Sequence, residues 1–269
     1  MKVAVIGAGA MGRAISRGAH DSDPDRWSFV FFDPHEQSAR DAAKAVAGTV
    51  ARSANDAVAE AELVILAVKP QVQAQVIREL EPGSACYVSI AAGRSTDDID
   101  GDFAQGGHSS VPLVRVMPNV NAMIGKATTA VCDNGKVSEP QLDSARSLFD
   151  SVGTTQEIPE KLFPAFTAMA GCSPAWYFRI ANSMALAGVR QGLTKAQAIK
   201  AAVSAMEGSA AMLLKTLEDG GHAEALVDQV CSPGGTTIAG MLAAEEAGLS
   251  AALDAAVDAA VVRDRELAG

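Results

Sequence analysis

Lys2-Val3-Ala4-Val5-Ile6 runs without a break into Gly7-Ala8-Gly9-Ala10-Met11-Gly12. An apolar, β-branched run followed at once by G-x-G-x-x-G predicts a strand, a tight turn and the start of a helix. In that pattern Gly7 permits the turn, Gly9 lets the backbone approach a pyrophosphate, and Gly12 lets helix and strand pack closely. A helix beginning near Ala10 presents free N–H groups to phosphates. Ile6, Gly7, Ala8, Gly9, Ala10, Met11 and Gly12 are thus the first candidates for holding a dinucleotide. The other reading is a plain strand-to-helix turn.

The next 150 residues repeat the alternation. Ser28–Phe32, Leu63–Val68, Cys86–Ile90 and Leu113–Met117 read as strands, with helical spacing at Glu36–Val46 and Gln71–Leu80 between them. None of these strands shows polar alternation, as expected where both faces of a parallel sheet are covered by helices. Residues 1–158 therefore predict an α/β, Rossmann-type doubly wound dinucleotide-binding domain. After Pro159 only helical patterns remain, at Leu162–Met169, Pro174–Gln191, Lys195–Leu217, Ile238–Glu246 and Ala251–Glu266. Residues 159–269 predict an all-helical domain. Alanine supplies 52 residues of the chain, whereas Trp, Tyr and Phe together supply twelve. Small side chains favour helices at close approach, and a half so poor in large residues is expected to complete its core against a second subunit.

The remaining composition mostly excludes. With 22 basic and 32 acidic residues the net charge is −10, and no basic run suggests a nucleic-acid footprint. No apolar run approaches the length of a membrane span, and the N-terminus lacks the pattern of a signal peptide. Cys86, Cys132, Cys172 and Cys231 are scattered without metal-ligand spacing, and read as reduced thiols of a cytoplasmic protein. His20, His35, His108 and His222 form no paired motif, so neither a metal centre nor a Ser-His-Asp triad is expected.

Further candidates stand where the strands end, which is where open α/β sheets bind ligands. Asp33 follows the second strand and can accept from an adenosine ribose hydroxyl, or serve as a cap or turn residue before Pro34; the two roles are compatible. Ala67-Val68-Lys69-Pro70 closes the third strand, with a solvated lysine and a helix-opening proline as the plain alternative. Ala92-Gly93 has the same placement after the fourth. Pro118-Asn119 closes the fifth, where Asn119 either offers its amide to a nicotinamide or shapes a turn. Ser232-Pro233-Gly234-Gly235-Thr236-Thr237 sets glycines and hydroxyls at a helix start, a nest for a carboxylate or a helix capped by Thr236 or Thr237. Trp176-Tyr177-Phe178 cannot share one helix face and reads as core or subunit interface.

Taken in order, these motifs resemble pyrroline-5-carboxylate reductase. The resemblance runs from GAGAMG through Asn55, AVKP at 67–70, SIAAG at 89–93, RVMPN at 115–119 and GCSPAW at 171–176. Its most specific part is CSPGGTTIAGMLAAEEAGL at 231–249. Val120-Asn121-Ala122 and Cys172-Ser173 depart from the usual residues. The resemblance implies NADPH or NADH as cofactor, 1-pyrroline-5-carboxylate as small-molecule substrate, and reduction to L-proline, the last step of proline biosynthesis. It implies a helical dimerisation domain, with dimers or decamers built from dimers. It places Asn55 with the cofactor and Ser232, Gly234, Gly235, Thr236 and Thr237 with the substrate. Thr237 would hydrogen-bond the imine nitrogen, and N–H groups near Gly235 and Thr236 would hold the carboxylate. A β-hydroxyacid dehydrogenase has a similar plan, but the lysine it needs early in its helical domain is missing between Gly171 and Ile180. A reductase of another cyclic imine, a reductase using an F420-type cofactor and a non-catalytic dinucleotide sensor are the remaining alternatives.

Overall fold

The computed structural model describes residues 1–109 and 111–268. It begins with β1 (Lys2–Ile6), α1 (Ala10–Ser22), β2 (Ser28–Phe32), α2 (Glu36–Ala45) and β3 (Thr49–Val50). The alternation continues through α3 (Ala54–Val58), β4 (Leu63–Leu66), α4 (Pro70–Arg78), β5 (Cys86–Ser89), α5 (Thr96–Gln105) and β6 (Leu113–Met117). A 3-10 turn at Val120–Ile124 leads into β7 (Ala127–Asp133), α6 (Glu139–Asp150) and β8 (Gly153–Glu157).

The eight strands among the described residues join one sheet in the order β3-β2-β1-β4-β5-β6-β7-β8. The first six are parallel, with Val3 opposite Phe29 on one side and Leu63 on the other. β7 runs antiparallel to β6, and β8 runs parallel to β7. The 3-2-1-4-5-6 order is that of a doubly wound dinucleotide-binding sheet. From β1 the chain builds outward to β3, then returns to the other side of β1 and builds outward again. The crevice between β1 and β4 is therefore the switch point, where the ends of the strands are left open.

The missing polar alternation has its cause in the packing. Val3, Val5 and Ile65 pack on one face with Ile15 and Ala19 of α1. Ala4, Ile6, Val64 and Leu66 pack on the other with Ile77, Tyr87 and Phe103. β3, β7 and β8 were not anticipated. β3 has only two residues, and β8 reads Gly-Thr-Thr-Gln-Glu, half-buried to exposed throughout. In β7, alanine and threonine carry little hydrophobic signal.

Past Glu157 the described residues are helical. The single helix expected over Leu162–Met169 is instead a 3-10 turn (Glu160–Leu162), a short α7 (Phe163–Phe166) and a π-helix (Thr167–Cys172). Pro164 sits in the first turn of α7, the position where its missing N–H costs nothing, and this forces a new start there. Then come α8 (Ser173–Arg190), α9 (Lys195–Glu218), α10 (Ala223–Val230), α11 (Thr236–Glu246) and α12 (Leu249–Ala268).

The chain divides into two compact units, one of Met1–Cys172 with Ala259 onward, the other Ser173–Asp258. The change from strand to helix, near residue 158, thus falls earlier than the change of unit. In the second unit α8 and α9 meet along a seam of small residues: Ala181, Ala185, Ala198 and Ala202 are buried, and a Cβ at Gly188 would lie 3.1 Å from that of Ala198. Large apolar side chains are left outside, including Phe178 at 66 % exposure, Leu214 at 64 % and Leu242 at 62 %. No helix among the described residues is long and apolar enough to cross a membrane.

Candidate functional site

A cleft of about 640 Å³ opens at the switch point, lined by Ile6, Gly7, Gly9, Asp33, Asn55 and Lys69 among others. Its floor is the glycine turn. Gly7 has φ +103, and a Cβ there would stand 2.7 Å from the Ala67 carbonyl oxygen. Gly12 lies in α1 where a Cβ would meet the Gly7 carbonyl at 2.6 Å. Gly9 differs from both: it caps α1 with its backbone, and a Cβ there would meet nothing within 4 Å. The backbone at Gly9 is thus bare towards open space. The first-turn N–H groups of Ala10, Met11 and Gly12 have no partner within the helix, and no acidic side chain occupies that turn. This combination fits an anionic pyrophosphate.

Asp33 braces the same turn. Its Oδ2 accepts from the Ala8 N–H at 2.8 Å and its Oδ1 from the His35 N–H at 2.8 Å. The carboxylate therefore shapes its own turn and the glycine loop while facing the cleft. Two arginines of the neighbouring elements pair with their own acids: Arg40 with Glu36 at 2.5 Å and Arg52 with Asp56 at 2.8 Å. Asn55 donates to the Glu79 carbonyl at 3.1 Å and accepts from the Glu81 N–H at 2.9 Å, tying α3 to the end of α4. Ala67, Val68 and Lys69 lie beyond the end of β4 on the cleft wall. Lys69 is exposed and caps α4, with Pro70 as the first helical residue. The sequence reading missed Val72, Gln75, Val76 and Glu79, which also line the cleft. Their i, i+3, i+4, i+7 spacing along α4 was the available signal.

The remaining candidates on the sheet stand apart from this cleft. Gly93, with φ +68, lines a smaller cavity of about 320 Å³ beside Arg115, Glu160 and Asp264. Burial raises the Asp264 carboxyl above its ordinary range, and Arg115 draws it partly back. Pro118 is buried. So is Asn119, whose Oδ1 accepts from the Asn121 N–H at 3.2 Å while its Nδ2 donates to the Ala170 carbonyl at 2.9 Å. In a regular α-helix the N–H of residue 174 would meet that carbonyl. Residue 174 is proline and has no N–H to give, and the Asn119 amide donates to that carbonyl. This is the turn-shaping reading of Asn119, with one amide proton left over.

In the second unit, Ser232-Pro233-Gly234-Gly235 forms a reverse turn closed by the Gly235 N–H donating to the Ser232 carbonyl at 3.0 Å. Proline at the second position and φ +68 at Gly234 are the type II pattern. Gly235 then caps α11 without a side chain, so neither threonine is the cap that one reading allowed. Thr236 and Thr237 are the first two helical residues and both are exposed. A Cβ at Gly235 would fall 2.4 Å from Ser232 Oγ and 3.0 Å from the Ser232 carbonyl, so a larger residue here would have to turn the serine hydroxyl aside. The turn leaves the N–H groups of the first turn and two hydroxyls facing outward.

Residues 160–267 match the family model described as pyrroline-5-carboxylate reductase dimerisation, and residues 2–93 match one described as NADP oxidoreductase, coenzyme F420-dependent. The pyrroline-5-carboxylate reductase of Aquifex aeolicus is 34 % identical over 92 % of this chain and 90 % of its own. That of Pisum sativum is 35 % identical over 98 % and 94 %. The solved structure of 1-pyrroline-5-carboxylate reductase from Streptococcus pyogenes matches with a TM-score of 0.88 at 33 % identity, covering 99 % of this chain and 98 % of that one. At this identity, over nearly the whole length of both chains, the conclusion is direct: the chain belongs to the pyrroline-5-carboxylate reductase family.

Proposed function

We propose that this chain reduces the cyclic imine 1-pyrroline-5-carboxylate to L-proline with NADPH or NADH, the last step of proline biosynthesis. The observation that carries the reading is the bare backbone at Gly9, open to a cleft at the switch point of the sheet. Residues 1–158 serve the cofactor, and residues 159–269 serve the substrate and dimerisation.

A reduced nicotinamide, when bound, supplies the hydride that the imine carbon takes up. The chain does the rest by binding and orientation. Ile6 to Gly12 hold the pyrophosphate, with Asp33 and Asn55 on the adenosine side. Ala67 to Pro70, Ala92-Gly93 and Pro118-Asn119 lie towards the nicotinamide. Ser232, Gly234, Gly235 and Thr236 hold the substrate carboxylate, and the Thr237 hydroxyl hydrogen-bonds the ring nitrogen. An imine becomes electrophilic on protonation, so a proton from solvent and a fixed geometry suffice for the chemistry.

The active form is a homodimer or a decamer built from dimers, in the cytoplasm. Support comes from the large apolar side chains left exposed on the second unit, whose α8–α9 seam buries only small residues. Light scattering that finds a stable, active monomer at micromolar concentration would remove this part. The function itself is tested by incubating the purified protein with pyrroline-5-carboxylate and each cofactor. Proline should form in step with cofactor oxidation; no proline with either cofactor would refute the reading.

A further inference from the structure

The turn after β5 is held by two acids, Asp102 buried and Glu160 half-buried, that the reading above does not use. Ala91 and Gly93 are buried in this turn, and a Cβ at Gly93 would stand 3.2 Å from that of Leu267. Arg94, the next residue, binds Asp102 of α5 through its guanidinium. Asp102 is 4 % exposed and also accepts from Arg78, at the end of α4, at 2.8 Å. Two residues further on, Thr96 donates twice to Glu160: its N–H to Oε1 at 2.7 Å and its hydroxyl to Oε2 at 2.8 Å. Glu160 is fixed in turn by Arg115, 2.8 Å away and itself 6 % exposed. The Arg115 guanidinium lies 4.4 Å over the ring of Phe163. On the strand side, Ser89 Oγ accepts from buried Gln73 at 3.0 Å.

Stability alone is a poor reason for this arrangement. Taking an ion pair out of water costs about as much as its attraction returns, and a well-packed apolar cluster of the same volume would stabilise the fold as well. What a buried, doubly paired carboxylate adds is a fixed geometry. The element it fixes most directly is the turn, since Arg94, which pairs with Asp102, is the residue after Gly93.

The topology says what that turn faces. A dinucleotide with its ribose at Asp33, beyond β2, crosses its pyrophosphate at the N-terminus of α1. Its other half then extends over the ends of β4 and β5. Ala92-Gly93 lies in the turn that follows β5. We propose that Asp102 is a positioning residue for the reduction, holding the Ala92-Gly93 turn through Arg94 so that it supports the nicotinamide end of the cofactor. This rests on the cofactor reading above.

The test compares wild type with Asp102→Asn, Arg94→Met and the conservative Arg94→Lys. It measures kcat, KM for NADPH, the deuterium isotope effect with NADPH labelled at C4, and Tm. Wild-type reduction of pyrroline-5-carboxylate comes first; its absence would refute the functional reading and the positioning role with it. With wild type active, Asp102→Asn and Arg94→Met should lower kcat on the order of ten- to a hundredfold, the scale of a small misplacement of reacting groups. KM for NADPH should change less than about threefold, because the adenosine and pyrophosphate contacts are untouched. The isotope effect should rise as hydride transfer becomes slower, and Arg94→Lys should recover most of the rate. A lower Tm with kcat and isotope effect unchanged per folded molecule would make Asp102 structural only and overturn the proposal. If Asp102→Asn does not fold, the two Arg94 variants decide by the same criteria.

Discussion

Asp33→Asn and Asp33→Ala are expected to differ, because the carboxylate both holds its neighbours and carries charge. Its two oxygens accept from the N–H groups of Ala8 and His35, each at 2.8 Å. Asparagine keeps one acceptor, which can serve Ala8, and leaves the exposed His35 N–H to water. Alanine leaves the Ala8 N–H unpaired on a residue with 0 % exposure. An orphaned buried donor costs about 1–3 kcal/mol, so Asp33→Ala should lose that much stability beyond the loss in Asp33→Asn. The charge acts separately. A 2′-phosphate roughly 6 Å from the carboxylate would be repelled by about 0.7–2.8 kcal/mol per unit charge for effective dielectrics from 80 down to 20. Arg40 and Arg52 are paired with their own acids and offset little of this. Both variants should therefore raise the kcat/KM ratio of NADPH to NADH by about tenfold, or 1.4 kcal/mol. Steady-state kinetics with both cofactors and urea unfolding of the three proteins measure the two effects independently. An unchanged ratio in Asp33→Asn would mean that the carboxylate does not meet the ribose. Equal stability of the two variants would mean that the Ala8 bond contributes nothing.

Gly12→Ala places a Cβ 2.6 Å from the Gly7 carbonyl, so α1 must lift from β1; about 1–3 kcal/mol should be lost in denaturant unfolding, with weaker binding of either cofactor. Thr237→Ala should lower kcat/KM for pyrroline-5-carboxylate by more than about threefold while cofactor Kd holds, and a smaller fall would leave under 1 kcal/mol of transition-state stabilisation to the hydroxyl. Burial pushes the Cys86 thiol up to about 12, with Asp133 adding to it, and likewise the Cys132 thiol, with Glu160 adding. A thiol reagent at pH 8 should therefore label only half-buried Cys172 and Cys231 in the native protein, and mass spectrometry showing early modification of Cys86 would contradict the packing of β5.

The parts of this fold that declare themselves in sequence are those where one physical cause dominates. β1 and β4 are buried on both faces, so nothing polar interrupts them, and the glycine turn shows because Gly7 and Gly12 leave no room for a Cβ. The SPGG turn is legible for a similar reason, a proline and a left-handed glycine in adjacent places. β8 is not, because an exposed edge strand of threonine and glutamine is stabilised by pairing with β7 and not by its own side chains. The break in the helix at Pro164 and the π-helix before Pro174 depend on which carbonyls lose their donors, a consequence of proline that periodicity does not register. Asn119 illustrates the limit for the site: its place after β6 was readable, but its bond to Ala170 crosses 51 positions of sequence. The clamp on Asp102 spans less sequence, 24 positions from Arg78 and 8 from Arg94, but no motif marks it either.

The reaction proposed for this protein is hydride transfer to the imine carbon of pyrroline-5-carboxylate. Its most direct test is a single incubation with the imine and NADPH deuterated at the transferring position, followed by NMR of the product. Proline should carry one deuterium at C5 and form one for one with oxidised cofactor. Proline without deuterium at C5, or cofactor oxidation without proline, would contradict it.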